Sequence, residues 1–254
     1  MSGQARPLDT WGAIASIFGF VASICMILFT DFKVAALLSL LVAETIGLLV
    51  WWHYQRRRLC LSHPYPRECL VDYVRYEFET PTKMIYEVTE AFRVTTPVMH
   101  SVEVELTWSG RGQFSVRSDF VQGEIPYLHD GKTGKIRFTL PLPETKRFGE
   151  SAVIHYVLSL EDTGNCNVPK LCKSTKRPCQ LVIFEAVLRY TDTCPPAQLV
   201  WVPLGESSPF TPPNKIRDVP FDPSTHSFRT AVSNLVVGRS YQLSWTQNAK
   251  LPTA

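Results

Sequence analysis

His100-Ser101-Val102-Glu103-Val104-Glu105-Leu106-Thr107-Trp108 is the stretch that decides the fold of the larger part of this chain. Val102, Val104, Leu106 and Trp108 share one parity, while Glu103, Glu105 and Thr107 take the other. That is the period of a strand with one buried face. Phe114, Val116, Ser118 and Phe120 repeat it against Arg117 and Asp119, and Ile136, Phe138 and Leu140 repeat it against Arg137 and Thr139. Between the first two strands, Ser109, Gly110, Arg111 and Gly112 have turn chemistry and predict a hairpin.

Working outward, 152–160 and 181–190 are longer apolar runs suited to central strands. Weaker strands are expected at 73–78, 84–94 and 198–202. Leu235 to Val237, Gly238-Arg239, then Tyr241, Leu243 and Trp245 read as a closing element. Strands this short and this numerous predict an antiparallel sandwich, immunoglobulin-like without its inter-sheet disulfide pattern, with a closed barrel as the second choice. The segment 194–223 is dense in proline and is expected to wrap over the sandwich or serve as an arm before the last strands.

The first fifth of the chain has a different composition. Two apolar runs, about 11–30 and 34–52, are separated by Asp31, Phe32 and Lys33. Each matches the ~20 residues that cross a bilayer as a helix. Residues 1–58 are therefore expected to form a two-helix transmembrane hairpin, 59–70 a connector rich in Pro and Arg, and 71–254 a β-rich domain. Arg6 precedes the first run and Arg56, Arg57 and Arg58 follow the second, so the positive-inside rule predicts an inner-membrane protein with its N-terminus and β domain cytoplasmic.

Within the first run, Ala15, Gly19 and Ser23 recur at the spacing that lets helix backbones approach, predicting an association face; small residues are also common in membrane helices generally. Glu44 lies inside the second run. A carboxylate there is costly and is expected either to form a polar seam, a pore lining or an inter-subunit hydrogen bond, or to be protonated and bond a hydroxyl such as Ser16 or Ser23 in its partner helix.

No catalytic pattern emerges. The six histidines are scattered, and neither a nucleophile elbow nor a phosphate-cradling loop is present. The expectation is a non-enzyme without cofactor or metal. His155, on a strand, is expected to be structural. The seven cysteines include Cys25 in the first run, Cys60 and Cys69 flanking the connector, Cys166, Cys172 and Cys179 expected in one loop, and Cys194. Their spacing is not that of a zinc knuckle, and a cytosolic domain would keep them as free thiols. A net charge of +3 argues against a nucleic-acid polymer as partner. Lys170, Lys173, Lys176 and Arg177 gather in one segment, and Lys132, Lys135, Lys146 and Arg147 flank the strand around Ile136. Each group is either a solvated rim or a surface for an anionic ligand or lipid headgroup.

The order of parts, a hairpin, an arginine stop at Arg56–Arg58 and then a cytosolic β domain, resembles the bacterial two-transmembrane β-domain effectors of cyclic-nucleotide antiphage defence. The resemblance spans the chain and rests on architecture. It carries over no ligand residue. It implies a sensor whose β domain binds a small anionic ligand such as a cyclic nucleotide, and whose hairpin oligomerises to perturb the lipid bilayer. The alternative expectation is a membrane-tethered adaptor that presents a β-sandwich to a partner.

Overall fold

The computed structural model describes residues 19, 20, 24, 33–164, 166–204 and 213–246. It divides into two compact units, Met1–Ser62 and His63–Ala254.

In the first unit the membrane hairpin is overturned. Among the described residues no helix is long and apolar enough to cross a membrane. The expected transmembrane fold, the multi-pass inner-membrane location and the orientation drawn from it are corrected accordingly. Of the run 11–30, only Gly19, Phe20 and Ile24 are described, and all three are helical. The second run belongs to one helix, α1 (Lys33–Ser62), which does not end with the apolar residues. It continues past Trp52 through His53, Gln55 and Arg56–Arg58. Glu44, Thr45 and Gly47 also divide its apolar stretch. Charged and polar residues thus interrupt the helix and fill its last third, where a spanning segment needs about 20 predominantly apolar residues. Leu41, Ile46, Leu49, Trp51 and Trp52 are exposed on it.

The second unit is built of strands: β1 (Arg67–Phe78), β2 (Lys83–Val94), β3 (Val98–Thr107), β4 (Gly112–Arg117), β5 (Tyr127–Asp130), β6 (Lys135–Arg147), β7 (Ser151–Asp162), β8 (Lys170–Ser174), β9 (Cys179–Leu188), β10 (Ala197–Pro203), β11 (Asn214–Val219), β12 (Ser227–Leu235) and β13 (Arg239–Ser244). They form a six-stranded sheet in the order β12-β9-β1-β2-β7-β4, a four-stranded sheet β11-β10-β13-β8 and a three-stranded sheet β3-β6-β5. One pairing departs from the expected antiparallel pattern: β1 and β9 run parallel at the centre of the large sheet.

Period-two burial explains the layering. Val74, Tyr76 and Phe78 of β1, Met84, Val88 and Phe92 of β2, Ile154, Tyr156 and Leu158 of β7, and Val182, Phe184 and Ala186 of β9 all point to one face. The smaller sheets cover that face. Phe138 of β6 meets Tyr156 edge-on at 5.2 Å between ring centroids, and Trp245, just past β13, meets Phe78 at 5.7 Å. Val102, Val104 and Trp108 are buried here, as their alternation predicts, and Leu106 of the same series is half-buried against the core.

The hairpin expected at Ser109–Gly112 does not form. β3 pairs with β6 and β4 with β7, so the segment carries the chain from one sheet to another. A Cβ at Gly110 would lie 2.5 Å from the Trp108 ring, which is why glycine stands where the chain crosses it. The proline-dense segment contributes two strands, β10 and β11, to the four-stranded sheet, and 205–212 between them lies outside the described residues.

Val104 faces Phe138 across β3 and β6. Replacing Val104 with Asp places an unpaired charge in the core, a cost of several kcal/mol against a total stability of roughly 5–15 kcal/mol. The expected outcome is loss of the cooperative thermal transition in circular dichroism. Gly134 has a φ of +65°, and a Cβ there would sit 2.2 Å from the Trp108 carbonyl oxygen. Gly134→Ala is expected to cost about 1–3 kcal/mol, measured by urea denaturation.

Candidate functional site

The site starts from a register position. In the β1–β2 pairing Asp72 stands directly opposite Glu90. Asp72 shares the parity of Val74, Tyr76 and Phe78, and Glu90 that of Val88 and Phe92, so both carboxylates point into the core. They are 0% and 4% exposed. Like charges directly opposite on a strand pair repel, and burial strengthens the penalty.

Three cations compensate. Arg67 lies on β1 beyond a bulge between Cys69 and Val71. The bulge adds a residue and shifts parity, so Arg67 and Cys69 join the inward face with Asp72. Arg67 Nε donates to Glu90 Oε1 at 3.1 Å while its guanidinium lies 5.3 Å from the Phe92 ring centroid. Arg177, between β8 and β9, donates to the same Glu90 oxygen. Lys173 comes from β8, in the opposing layer, and pairs with Asp72 Oδ2. Asp72 Oδ1 accepts no hydrogen bond among the described residues.

The titration of these groups follows from the arrangement. Burial opposes ionisation of Glu90, but Lys173, Arg67 and Arg177 outweigh it and hold its pKa at about 2. Burial also works against the Lys173 ammonium, and the Asp72 and Glu90 carboxylates more than reverse that, raising its pKa. Asp72 is raised by burial against the pull of Lys173. The neighbouring Tyr86 and Tyr156 hydroxyls are raised by burial as well.

Above the cluster opens a cleft of about 540 Å³. Its lining includes the cluster, Tyr76, Trp108 and Asn167, the Cys69–Cys179 pair, and Lys170, Lys176 and Glu105 towards solvent. Lys176 is held by Glu105 at 3.2 Å, and Glu105 also accepts from Arg137 at 2.7 Å.

Of the residues singled out by sequence, Lys170, Lys173, Lys176 and Arg177 are brought together on this cleft. Lys135 and Arg147 stand at opposite ends of β6 and form no cluster. His155 lies on the other face of the large sheet, between Asp119 at 2.7 Å and Glu87 at 3.2 Å. Glu44 is exposed on α1. Ala15 and Ser23 lie outside the described residues; a Cβ at Gly19 would meet nothing within 4 Å. Cys166, Cys172 and Cys179 do not share one loop: Cys172 is within β8 and Cys179 opens β9. Cys25 lies outside the described residues. Asp72, Glu90 and Arg67 were missed. Their signal was parity, acidic residues in phase with a buried apolar series.

No protein-family model and no curated protein matches the chain. Among solved structures, the chain is similar to a putative protease from Parabacteroides distasonis, at 8% identity and a TM-score of 0.38, over 70% of this chain and 40% of that one. It is also similar to an M1 zinc metallopeptidase from Deinococcus radiodurans, at 9% identity and a TM-score of 0.37, over 70% of this chain and 42% of that one. The chain spans less than half the length of either structure. At scores this low the likenesses carry no inference about chemistry. Among the described residues no group of His, Cys, Asp and Glu side chains is placed to hold a metal ion.

Glu90→Gln leaves Arg67 and Arg177 without their counter-charge, and is expected to cost roughly 3–5 kcal/mol at pH 7. Glu90 binds a proton less readily folded than unfolded. Its stabilisation is therefore complete above its ordinary pKa of 4.5 and is lost as pH falls towards 2. Urea denaturation of both proteins across that window is expected to show the difference between them shrinking with falling pH.

Proposed function

We propose that the β domain is a non-enzymatic sensor module that binds a small anionic ligand in the cleft beside β8. The observation that carries this reading is the convergence of four basic residues from 170–177 on one concavity that also holds Tyr76 and Trp108. Its volume lies within the roughly 300–1,000 Å³ of small-molecule sites, which pair apolar walls with a few placed polar groups. Lys170 and Lys176 at the mouth suit phosphate oxygens. The aromatic walls suit a heterocyclic base. A cyclic nucleotide unites these features.

A second reading, an adaptor that binds no small ligand, is favoured by one specific observation. Lys173 and Arg177 are already neutralised by Asp72 and Glu90. The inner cations then serve cohesion, Lys176 is paired with Glu105, and Lys170 is left for a partner.

Isothermal titration of the full chain with cyclic mononucleotides and cyclic dinucleotides, with pyrophosphate as the comparison, separates the two. The sensor reading expects saturable binding of at least one cyclic nucleotide. It also expects a weakening of at least about tenfold, about 1.4 kcal/mol, in Lys170→Glu/Lys176→Glu, with the melting temperature unchanged. Absence of binding to every nucleotide by wild type leaves the adaptor reading.

A further inference from the structure

Cys69 and Cys179 are Cα partners in the parallel β1–β9 ladder. The Cys69 amide donates to the Pro178 carbonyl at 3.2 Å, which ties the two strand starts together immediately beside the thiols. Both side chains turn inward, Cys69 because of the bulge that follows it, and they are 0% and 4% exposed. Their sulfur atoms are 2.7 Å apart. Packed, unbonded carbon atoms sit at about 3.5–4.0 Å, and sulfur is larger. Nothing in the ion-pair network uses either thiol. Both line the cleft, and Cys179 keeps slight exposure there while Cys69 stands behind it.

We propose that Cys69 and Cys179 are a reversible redox pair, forming a disulfide when hydrogen peroxide enters the cleft. A cross-strand disulfide needs Cα atoms about 4.4–6.8 Å apart and converging Cβ atoms, and directly paired neighbouring strands supply both. Cys179 is the attacking member, because it keeps slight exposure to the cleft while Cys69 is fully buried. The hydrogen bond shared with Cys69 lowers its pKa, and the Lys173 ammonium adds to that. In the first step the Cys179 sulfur bonds to one peroxide oxygen and the O–O bond breaks. The departing hydroxide takes up the proton that the Cys179 thiol gave up and becomes water, and Cys179 is left as the sulfenic acid. In the second step the Cys69 sulfur attacks the Cys179 sulfur. The S–O bond breaks, and the oxygen leaves as a second water with the proton from Cys69. Two thiols are oxidised and one peroxide is reduced to two waters. A dithiol reductant reverses the change by exchange.

The bond would staple β1 to β9 across a sequence separation of 110 residues. Linking positions so far apart removes much of the freedom of the unfolded chain. The oxidised protein is thus the more stable form, and the strand carrying Arg67 and Asp72 becomes fixed to the strand that follows Arg177.

The test uses the full chain and hydrogen peroxide. Reduced protein is treated with peroxide, alkylated under denaturing conditions, digested without reduction and mapped by mass spectrometry. The proposal expects two fewer alkylated thiols than the seven of the reduced chain, and a linked peptide pair containing Cys69 and Cys179 that a dithiol releases. It also expects a rise in melting temperature of roughly 10 °C, lost on reduction. Cys172→Ser, which removes another thiol of the cleft, is expected to keep the link, and Cys179→Ser to lose it. Recovery of both Cys69 and Cys179 as alkylated peptides from peroxide-treated wild type, or of either one linked to Cys172 instead, overturns the proposal. The wild-type map decides this even if Cys179→Ser does not fold.

Discussion

Two carboxylates facing each other inside a sheet set the terms for the rest of the β domain. Asp72 and Glu90 occupy opposed positions of β1 and β2 on the core side. A pair of buried like charges is tolerable only if cations reach it, because desolvation and repulsion act together. The sheet cannot supply them all from its own inner face. Arg67 does so only because the bulge after Cys69 reverses the parity of β1. Arg177 arrives from the segment entering β9, and Lys173 crosses from the opposing layer. The cluster therefore ties together β1, β2, β8 and the entry to β9.

This dependence gives a physical meaning to the parallel β1–β9 pair. Because β9 runs parallel to β1, the start of β9 lies beside the start of β1. That places Arg177, two residues before Cys179, at the end of the sheet where Glu90 and Arg67 already are. An antiparallel β9 would bring its far end there instead, with Leu188 and Arg189 in place of Arg177 and Cys179. The charge cluster, the cysteine pair and the cleft thus share one topological cause.

Much of the β domain was legible because alternation reports a half-buried strand directly, as 100–108 and 136–140 show. Which strands pair was not legible. The glycines of Ser109–Gly112 carry the same local chemistry whether they close a hairpin or cross a tryptophan ring between sheets. The basic residues of 170–177 were visible as a group. Their acidic partners were not, since Asp72 and Glu90 lie far apart in sequence and meet only through register. Leu70 hid Arg67 and Cys69 further, because a bulge breaks the parity by which a buried face is read. At the N-terminal end, mean composition overrode position. Apolar residues on either side of Glu44 looked like one spanning run, whereas polar groups interrupt the helix and fill its last third.

The two faces of the large sheet show why burial, and not the residue type, makes the inner cluster the candidate site. On the outer face Arg75 contacts Glu77, Glu87 and Glu185, Tyr73 donates to Glu185, and His155 lies between Glu87 and Asp119. That network holds more ionisable groups than the inner one. Its members stay partly exposed, so water competes for every contact and individual pairs contribute about 0–1 kcal/mol. Inside, the carboxylates are shielded from water, and removal of Glu90 leaves Arg67 and Arg177 without their partner. Replacing such a buried set with well-packed apolar side chains is often neutral for stability, whereas removing one side of it is costly. What distinguishes the inner charges is the cleft: Arg67, Asp72 and Glu90 are buried, and the partly exposed Lys173 and Arg177 connect them to a concavity.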